Sequence, residues 1–351
     1  MMRDKTITHG GEAALLALIE KGLKGVPESL SRTPIRVPVG FGDDAALLAV
    51  EQGFQVLVTT DLLIEDVHFR KRYVSPEQLG YKALAVNMSD IAAMGGIPSR
   101  ALIGLALPPS TPFSFVEGLY NGMIRTGREY GVGIIGGDTV RSPGPVVIAV
   151  TMIGAVQEAN AITRSGASPG DRIMVTGELG GAMLGLELLE KGDGKGNIAD
   201  GPCTRFLHPI PRVREAGIMA RDHLATAMID LSDGLTQDLA HLCQASCTGA
   251  RIEAGSVPID SAVARLVSGK GADPLRYALS GGEDYEILFT VRPENAQFAI
   301  DRVRAETGTR VSDIGVICPE DEGIALIDDE GRESPLPPGG FEHFSSKKAD
   351  L

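Results

Sequence analysis

The chain has 351 residues, 43% of them hydrophobic, and sets 33 Lys and Arg against 46 Asp and Glu for a formal charge of −13. That acidity excludes nucleic acid and anionic membrane as partners, since both need a basic face to replace released counterions; it also serves solubility. The length exceeds one ordinary core, so two domains are expected.

No run of about 18 apolar residues occurs. The N-terminus holds acidic residues and no leader-like apolar stretch, so a cytoplasmic protein is expected. Cys203, Cys243, Cys247 and Cys318 form no C-x-x-C pair. They are read as reduced and structural, and no partner ligands accompany the four-residue spacing of Cys243 and Cys247.

In chain order, residues 11–24 are predicted as a short amphipathic helix, with Leu15, Leu16, Leu18, Ile19 and Leu23 towards one side. Gly40-Phe41-Gly42-Asp43-Asp44-Ala45-Ala46 is a glycine-flanked acidic pair feeding an apolar run. Residues 55–61 read as a strand ending in Thr59, Thr60 and Asp61. Open sheets present ligand-binding groups at strand ends, although a turn Asp bonding its own backbone is the plainer alternative.

Next, Val86-Asn87-Met88-Ser89-Asp90-Ile91-Ala92-Ala93-Met94-Gly95-Gly96 places Asp90 on the apolar stripe of a helix with Leu79, Ala83, Val86, Ala93 and Met94. A carboxylate taken out of water costs several kcal/mol unless it is paired, hydrogen-bonded or metal-bound, so this Asp either has a partner or lines a cleft. Residues 101–107 read as a buried strand and 115–130 as a helix. Gly131-Val132-Gly133-Ile134-Ile135-Gly136 matches G-x-G-x-x-G letter for letter. The match is rejected because a helix precedes it and a strand follows, the reverse of the dinucleotide-binding order. It leads instead to a strand ending at Gly136-Gly137-Asp138-Thr139, and residues 146–156 are expected to pair with that strand.

A boundary near Glu158 divides the chain into 1–157 and 158–351. Beyond it, 172–176 is predicted as a strand, 180–191 as a helix, 192–202 as a mobile glycine-rich loop and 213–224 as a helix. Residues 227–229 form a short strand before Asp230-Leu231-Ser232-Asp233-Gly234-Leu235. Ser232 and Asp233 are expected to cap the next helix, leaving Asp230 for a cleft. Strands are placed at 251–254, 286–291, 311–317 and 324–327, the second introduced by Leu279-Ser280-Gly281-Gly282-Glu283-Asp284-Tyr285. Both domains are therefore expected to mix helices and strands.

The acids at strand ends and on the apolar helix face are Asp43, Asp44, Asp61, Asp90, Asp138, Asp230, Asp233 and Glu283. Two unit charges 4 Å apart repel by roughly 4 kcal/mol at an effective dielectric near 20, so a converging set implies bound divalent cations. Oxygen-only donors, with the Thr59 and Thr60 hydroxyls, select magnesium, manganese or calcium over zinc. Magnesium with a polyphosphate is the commonest use of such a site. No P-loop and no protein-kinase signature is present. A phosphate site then rests on backbone amides at glycine pairs, metals and an Arg such as Arg164.

These stretches, with Thr163-Arg164-Ser165-Gly166-Ala167 and Ser280-Gly281-Gly282-Glu283-Asp284-Tyr285-Glu286, run in one order along nearly the whole chain. In that order they resemble the thiamine-monophosphate kinase family, within the larger group of aminoimidazole-ribonucleotide synthetase-like ATP enzymes. The resemblance implies two mixed α/β domains, an N-terminal Mg/ATP-binding and dimerisation domain and a C-terminal domain completing the cleft, with N-terminal sheets joining across a homodimer. It implies transfer of the ATP γ-phosphoryl group to thiamine monophosphate, with several Mg2+ ions and no general base. Carried over by position, Asp44, Thr59, Thr60, Asp61, Asp90, Asp138, Asp230 and Asp233 fall on metal positions, with Asp61 and Asp138 the most critical. Tyr120, Gly137, Asp138, Arg164 and Ser232 fall on nucleotide positions, and His68, Glu283 and Phe341 on substrate positions. Two rivals stand beside this reading. One is another ATP-dependent synthetase of the same group; selenide chemistry is disfavoured, as the first cysteine is Cys203. The other is a non-catalytic divalent-cation or nucleotide-binding module.

Overall fold

The computed structural model describes residues 6–23, 33–40, 45–192, 201–269, 271–337 and 339–341. The chain divides into two compact units, one of residues 1–91 with 96–159 and one of residues 92–95 with 160–351.

The first unit holds α1 (Ile7–Leu23), β1 (Ile35–Val39), β2 (Leu47–Val50), β3 (Phe54–Ile64), α2 (Pro76–Ala93), β4 (Ile97–Leu107), α3 (Phe113–Tyr130), β5 (Gly133–Arg141) and β6 (Val147–Gln157). Its main sheet runs β3-β6-β4-β5. β6 is antiparallel to both β3 and β4, and β4 is parallel to β5. β6 thus pairs with β3 and β4, not with its predecessor β5 as the sequence suggested. A parallel partner for β4 needs a long crossover, and α3 supplies it.

Side chains alternate across this sheet with period two. Ala101, Ile103, Leu105 and Leu107 of β4 and Ile148, Val150 and Met152 of β6 are buried on one face. On the other, Val56, Val58, Leu62 and Val140 stay open, Val58 at 64% exposure.

α2 opens with a capping box, in which Ser75 Oγ accepts from Gln78 N–H (3.2 Å) and Gln78 Oε1 accepts from Ser75 N–H (2.9 Å), with Pro76 as its first residue. It closes at Gly95, whose positive φ of 72° lets Gly96 N–H reach back to the Ile91 carbonyl (3.0 Å). α2 and α3 touch through backbone: a Cβ at Gly80 would fall on the Leu119 carbonyl oxygen, and one at Gly122 on that of Glu77. α1 begins at Ile7, earlier than its amphipathic pattern suggested, and is broken at Gly11 (φ 76°).

The second unit holds β7 (Arg172–Thr176), α4 (Gly181–Lys191), α5 (Pro202–Leu207), α6 (Val213–Arg221), β8 (Ala225–Asp230), α7 (Leu235–Ser246), β9 (Thr248–Glu253), α8 (Ser261–Ser268), α9 (Pro274–Ser280), β10 (Ile287–Val291), α10 (Ala296–Thr307), β11 (Val311–Pro319), β12 (Ile324–Ile327) and β13 (Glu333–Pro335). Seven strands run β13-β12-β9-β11-β7-β10-β8, antiparallel except for β12 beside β9. Alternate residues feed two cores. Ile173, Val175, Ile229 and Leu288 pack with Leu235, Leu239 and Leu279 from α7 and α9. Met174, Met228 and Phe289 pack with Ala216, Met219, Ala299 and Val303 from α6 and α10. A sheet covered on both faces explains why β10 reads as an unbroken apolar run. Most of the expected loop 192–202 lies outside the described residues, and no helix among those described is long and apolar enough to cross a membrane.

Overpacking at a backbone crossing forces helices apart and costs about 1–3 kcal/mol. Gly122→Ala is expected to lower stability by that amount, read from the midpoint of a urea unfolding curve.

Candidate functional site

In the first unit the candidate residues gather where β3 meets α2. Thr59 and Asp61, two apart, share the face of β3 that lies against α2. Thr59 Oγ1 donates to Asp90 Oδ2 (2.6 Å), and the Asp61 N–H donates to Asn87 Oδ1 (3.1 Å). Asn87 and Asp90 lie three apart on α2, on neighbouring turns of one face. Thr60 points the other way: its hydroxyl donates to the Val150 carbonyl (3.1 Å) and receives that of Thr151 (3.3 Å).

Asp61 is not at a strand end as expected, because β3 stays paired with β6 through Ile64. Asp138 likewise lies within β5, which runs on to Arg141. Its Oδ1 accepts the N–H of Thr139 (2.8 Å). Gly137 has no room for a side chain, since a Cβ would fall on the Ile103 carbonyl oxygen. Registration puts Asp138 beside Gly104, Ala149 and Leu62 in turn. Leu62 belongs to the open face, whereas Asp61 faces α2. Asp61 and Asp138 thus occupy opposite edge strands and opposite faces, separated by three strand spacings, or about 14 Å.

His68 follows β3 in a tight loop, where its Nδ1 accepts the Ile64 N–H (3.1 Å). Tyr120 is buried in α3, and burial pushes its hydroxyl pKa up. Asp44 lies outside the described residues. Among those described, no three His, Cys, Asp or Glu side chains form a metal cage. The donors that gather here, Thr59 bonded to Asp90 and Asp61 two residues along the same face of β3, are all oxygens. They suit magnesium, which uses one or two carboxylates with water and phosphate in preference to an all-protein cage.

In the second unit, Asp230 ends β8 and is buried. The loop after it is clasped to the Gly281–Glu286 stretch: Leu231 N–H donates to Glu286 O (2.8 Å), Tyr285 N–H to Leu231 O (2.9 Å) and Glu283 N–H to Ser232 O (2.8 Å). Asp230, Ser232, Asp233 and Glu283 are thereby brought together. Phe341 joins them through its N–H to Asp233 O (3.2 Å), with its ring 44% exposed. Arg164 is exposed; its carbonyl accepts the Ser246 hydroxyl (2.9 Å), which fastens its loop to α7.

Ser232 and Asp233 do not cap α7; Gly234 stands at that position without a side-chain bond. Asp238, inside the first turn, reaches back with Oδ2 to the N–H groups of Asp233 and Gly234 (both 3.1 Å). Burial, then the Asp233 charge, push its carboxyl up to about 7. Gln237 Nε2 donates to Asp233 Oδ2 (3.0 Å). Glu286, one residue before β10, takes both arms of Arg212 (2.5 and 2.6 Å) and the Thr176 hydroxyl (2.7 Å). Asp284 accepts the N–H groups of Gly180 (2.6 Å) and Ala182 (3.1 Å) at the start of α4.

Residues 42–156 match the N-terminal domain of the AIR synthase related protein family, and residues 168–328 its C-terminal domain. A thiamine-monophosphate kinase of Escherichia coli (strain K12) is 40% identical over 314 residues, 88% of this chain and 93% of that one. The chain belongs to the thiamine-monophosphate kinase family. In that family, the crystal structure of the Stenotrophomonas maltophilia K279a enzyme superposes with a TM-score of 0.76 at 33% identity, covering 92% of this chain and 98% of that one. "AaThiL complexed with AMPPCP and TMP" gives 0.74 at 31% identity, with 97% and 99% covered.

Three residues went unassigned in the sequence. Asn87 stood inside a quoted motif but had no role. Asp238 carried a faint signal, an acid in a first helical turn that has no capping side chain. Arg212 carried none, because only the fold brings it to Glu286.

Burial raises the Asp284 carboxyl to about 7, against the pull of its two N–H donors. An acid whose pKa is higher in the folded than in the unfolded chain adds stability that is full below about pH 4 and lost as pH rises through about 7. Asp284→Ala is therefore expected to flatten the fall in stability between about pH 4 and pH 8, measured by urea unfolding at several pH values. The full shift corresponds to about 4 kcal/mol at 1.36 kcal/mol per unit.

Proposed function

We propose that the protein transfers the γ-phosphoryl group of ATP to thiamine monophosphate, giving thiamine diphosphate, in thiamine biosynthesis in the cytoplasm. The observation that carries this reading is the Thr59–Asp90 bond where β3 meets α2, with Asp61 on the same face of β3, in a chain of the thiamine-monophosphate kinase family. A relative of this fold was crystallised with AMPPCP and TMP.

The acceptor is a phosphate oxygen, already ionised at neutral pH because a monoester's second pKa lies near 6. No general base is required, and none is assigned. The barrier is electrostatic: two dianionic groups contribute four charge pairs, about 16 kcal/mol at 4 Å and an effective dielectric of 20. Magnesium, when bound, would offset this repulsion, held by Asp61, Asp90 and Thr59, with Asp44, Asp138, Asp230 and Asp233 as further ligands; the Thr60 hydroxyl, on the other face of β3, is engaged with Val150 and Thr151. The protein's own contribution is to position the two phosphates in line and to hold fixed dipoles around them. Gly137, whose lack of a side chain admits the Ile103 carbonyl of the neighbouring strand, contacts the nucleotide together with Tyr120, Arg164 and Ser232. His68, Glu283 and Phe341 contact thiamine monophosphate. The Nδ1 of His68 accepts the Ile64 N–H, which fixes the neutral ring in the Nε2–H tautomer.

The active form is a homodimer. The open sheet face with Val56, Val58, Leu62 and Val140 is an apolar patch of the kind that mates with a partner. A second copy also offers a way for Asp138 of one chain to serve the same site as Asp61 of the other.

Incubation with ATP, Mg2+ and thiamine monophosphate should yield thiamine diphosphate without inorganic phosphate, and EDTA should abolish it. Asp61→Ala and Asp138→Ala are each expected to lower kcat by at least about 100-fold; near-normal turnover at saturating Mg2+ would remove the assignment. Co-expressed, the two inactive chains of a symmetric dimer should regain about a quarter of wild-type activity. No recovery would place both acids in a site built by one chain. His68→Ala is expected to raise KM for thiamine monophosphate more than it lowers kcat, in steady-state assays.

A further inference from the structure

Asn87 lies between the two segments that carry the oxygen cluster, and its side chain is 1% exposed. Its amide is used at both ends. Oδ1 accepts the N–H of Asp61 (3.1 Å), and Nδ2 donates to the Ala83 carbonyl one turn earlier in α2 (3.0 Å). The two bonds fix the flip of the amide, since exchanging O and N would set donor against donor and acceptor against acceptor. The Asp61 N–H that it holds belongs to the residue whose carboxylate is assigned to metal, and Asp90 lies three residues further along the same helix. The Thr59–Asp90 bond joins the side chains of two proposed ligands, whereas the Asn87–Asp61 bond uses the backbone of Asp61 and a side chain that is not a proposed ligand.

We infer that Asn87 is a positioning residue for the metal site, setting the depth of Asp61 on β3 against Asp90 on α2. This rests on the assignment of Asp61 and Asp90 to magnesium. An amide is required because it satisfies an N–H and a carbonyl at once. A carboxylate of the same size keeps the first contact, but turns an oxygen towards the Ala83 carbonyl and adds a negative charge beside Asp61 and Asp90.

That charge makes the inference testable. If the site bound cations by charge alone, Asn87→Asp would tighten binding; if Asn87 acts by position, the same substitution loosens it. The second variant is Asn87→Ser, whose hydroxyl can bond back to the Ala83 carbonyl but is too short to reach the Asp61 N–H. Mn2+ binding, followed by electron paramagnetic resonance on the full chain, is the readout, with thermal melting alongside. Both variants are expected to bind Mn2+ about 10–100-fold more weakly than wild type, with Asn87→Ser melting close to wild type. Binding by folded Asn87→Ser within about twofold of wild type, or tighter binding by Asn87→Asp, would overturn the inference. Failure of both variants to fold would assign Asn87 to the fold alone and overturn it equally. Asp61→Asn separates the two levels: if it leaves Mn2+ binding unchanged, the metal assignment itself fails. If it abolishes binding while Asn87→Ser does not weaken it, only the role of Asn87 fails.

Discussion

The N-terminal unit depends on the fastening of one strand to one helix. β3 and α2 are joined at Thr59–Asp90 and at Asp61–Asn87, and these bonds fix where Thr59 and Asp61 sit against Asp90 and Asn87. The capping box at Ser75 and Gln78 fixes where α2 begins, and Gly95 fixes where it ends. The glycine contacts at Gly80 and Gly122 press α3 onto it. Each feature is ordinary helix chemistry, and together they place Asp90 at one height on β3.

The C-terminal unit uses carboxylates differently. Asp238 and Glu286 bind the protein's own donors. Asp238 gathers the N–H groups at the start of α7, and Glu286 is paired with Arg212 and accepts the Thr176 hydroxyl. Removing one partner of a buried pair such as Arg212–Glu286 leaves a charge in low dielectric, so these acids serve the fold first. Their work keeps the loop with Asp230, Ser232 and Asp233 clasped to the loop with Glu283.

Much of this was legible in the sequence, and the limits have physical causes. β7 and β12 appear at the expected residues, because apolar runs bounded by turn residues carry a strong local signal. The glycine-plus-acid stretches pointed to oxygen donors and a cation. The extents of β3 and β5 were not legible, since strand continuation past Asp61 and Asp138 depends on pairing with β6 and β4, which residue types do not encode locally. The side taken by Thr60 follows from the pleat once β3 is known to run straight through it. Ser232 and Asp233 do not cap α7, because the helix starts one residue later, after Gly234, and Asp238 from its first turn takes the N–H groups of Asp233 and Gly234. Position 44 lies outside the described residues and keeps only the role its motif implies.

The turn from β7 into α4 has the outward form of a phosphate cradle, a strand leading through glycines into a helix whose first N–H groups converge. In this protein the cradle is already full: the Asp284 carboxylate sits on Gly180 and Ala182. An incoming phosphate would have to displace a tethered carboxyl group already hydrogen-bonded to both N–H groups. The most recognisable anion-binding geometry in the C-terminal unit is thus taken up by one of the protein's own side chains.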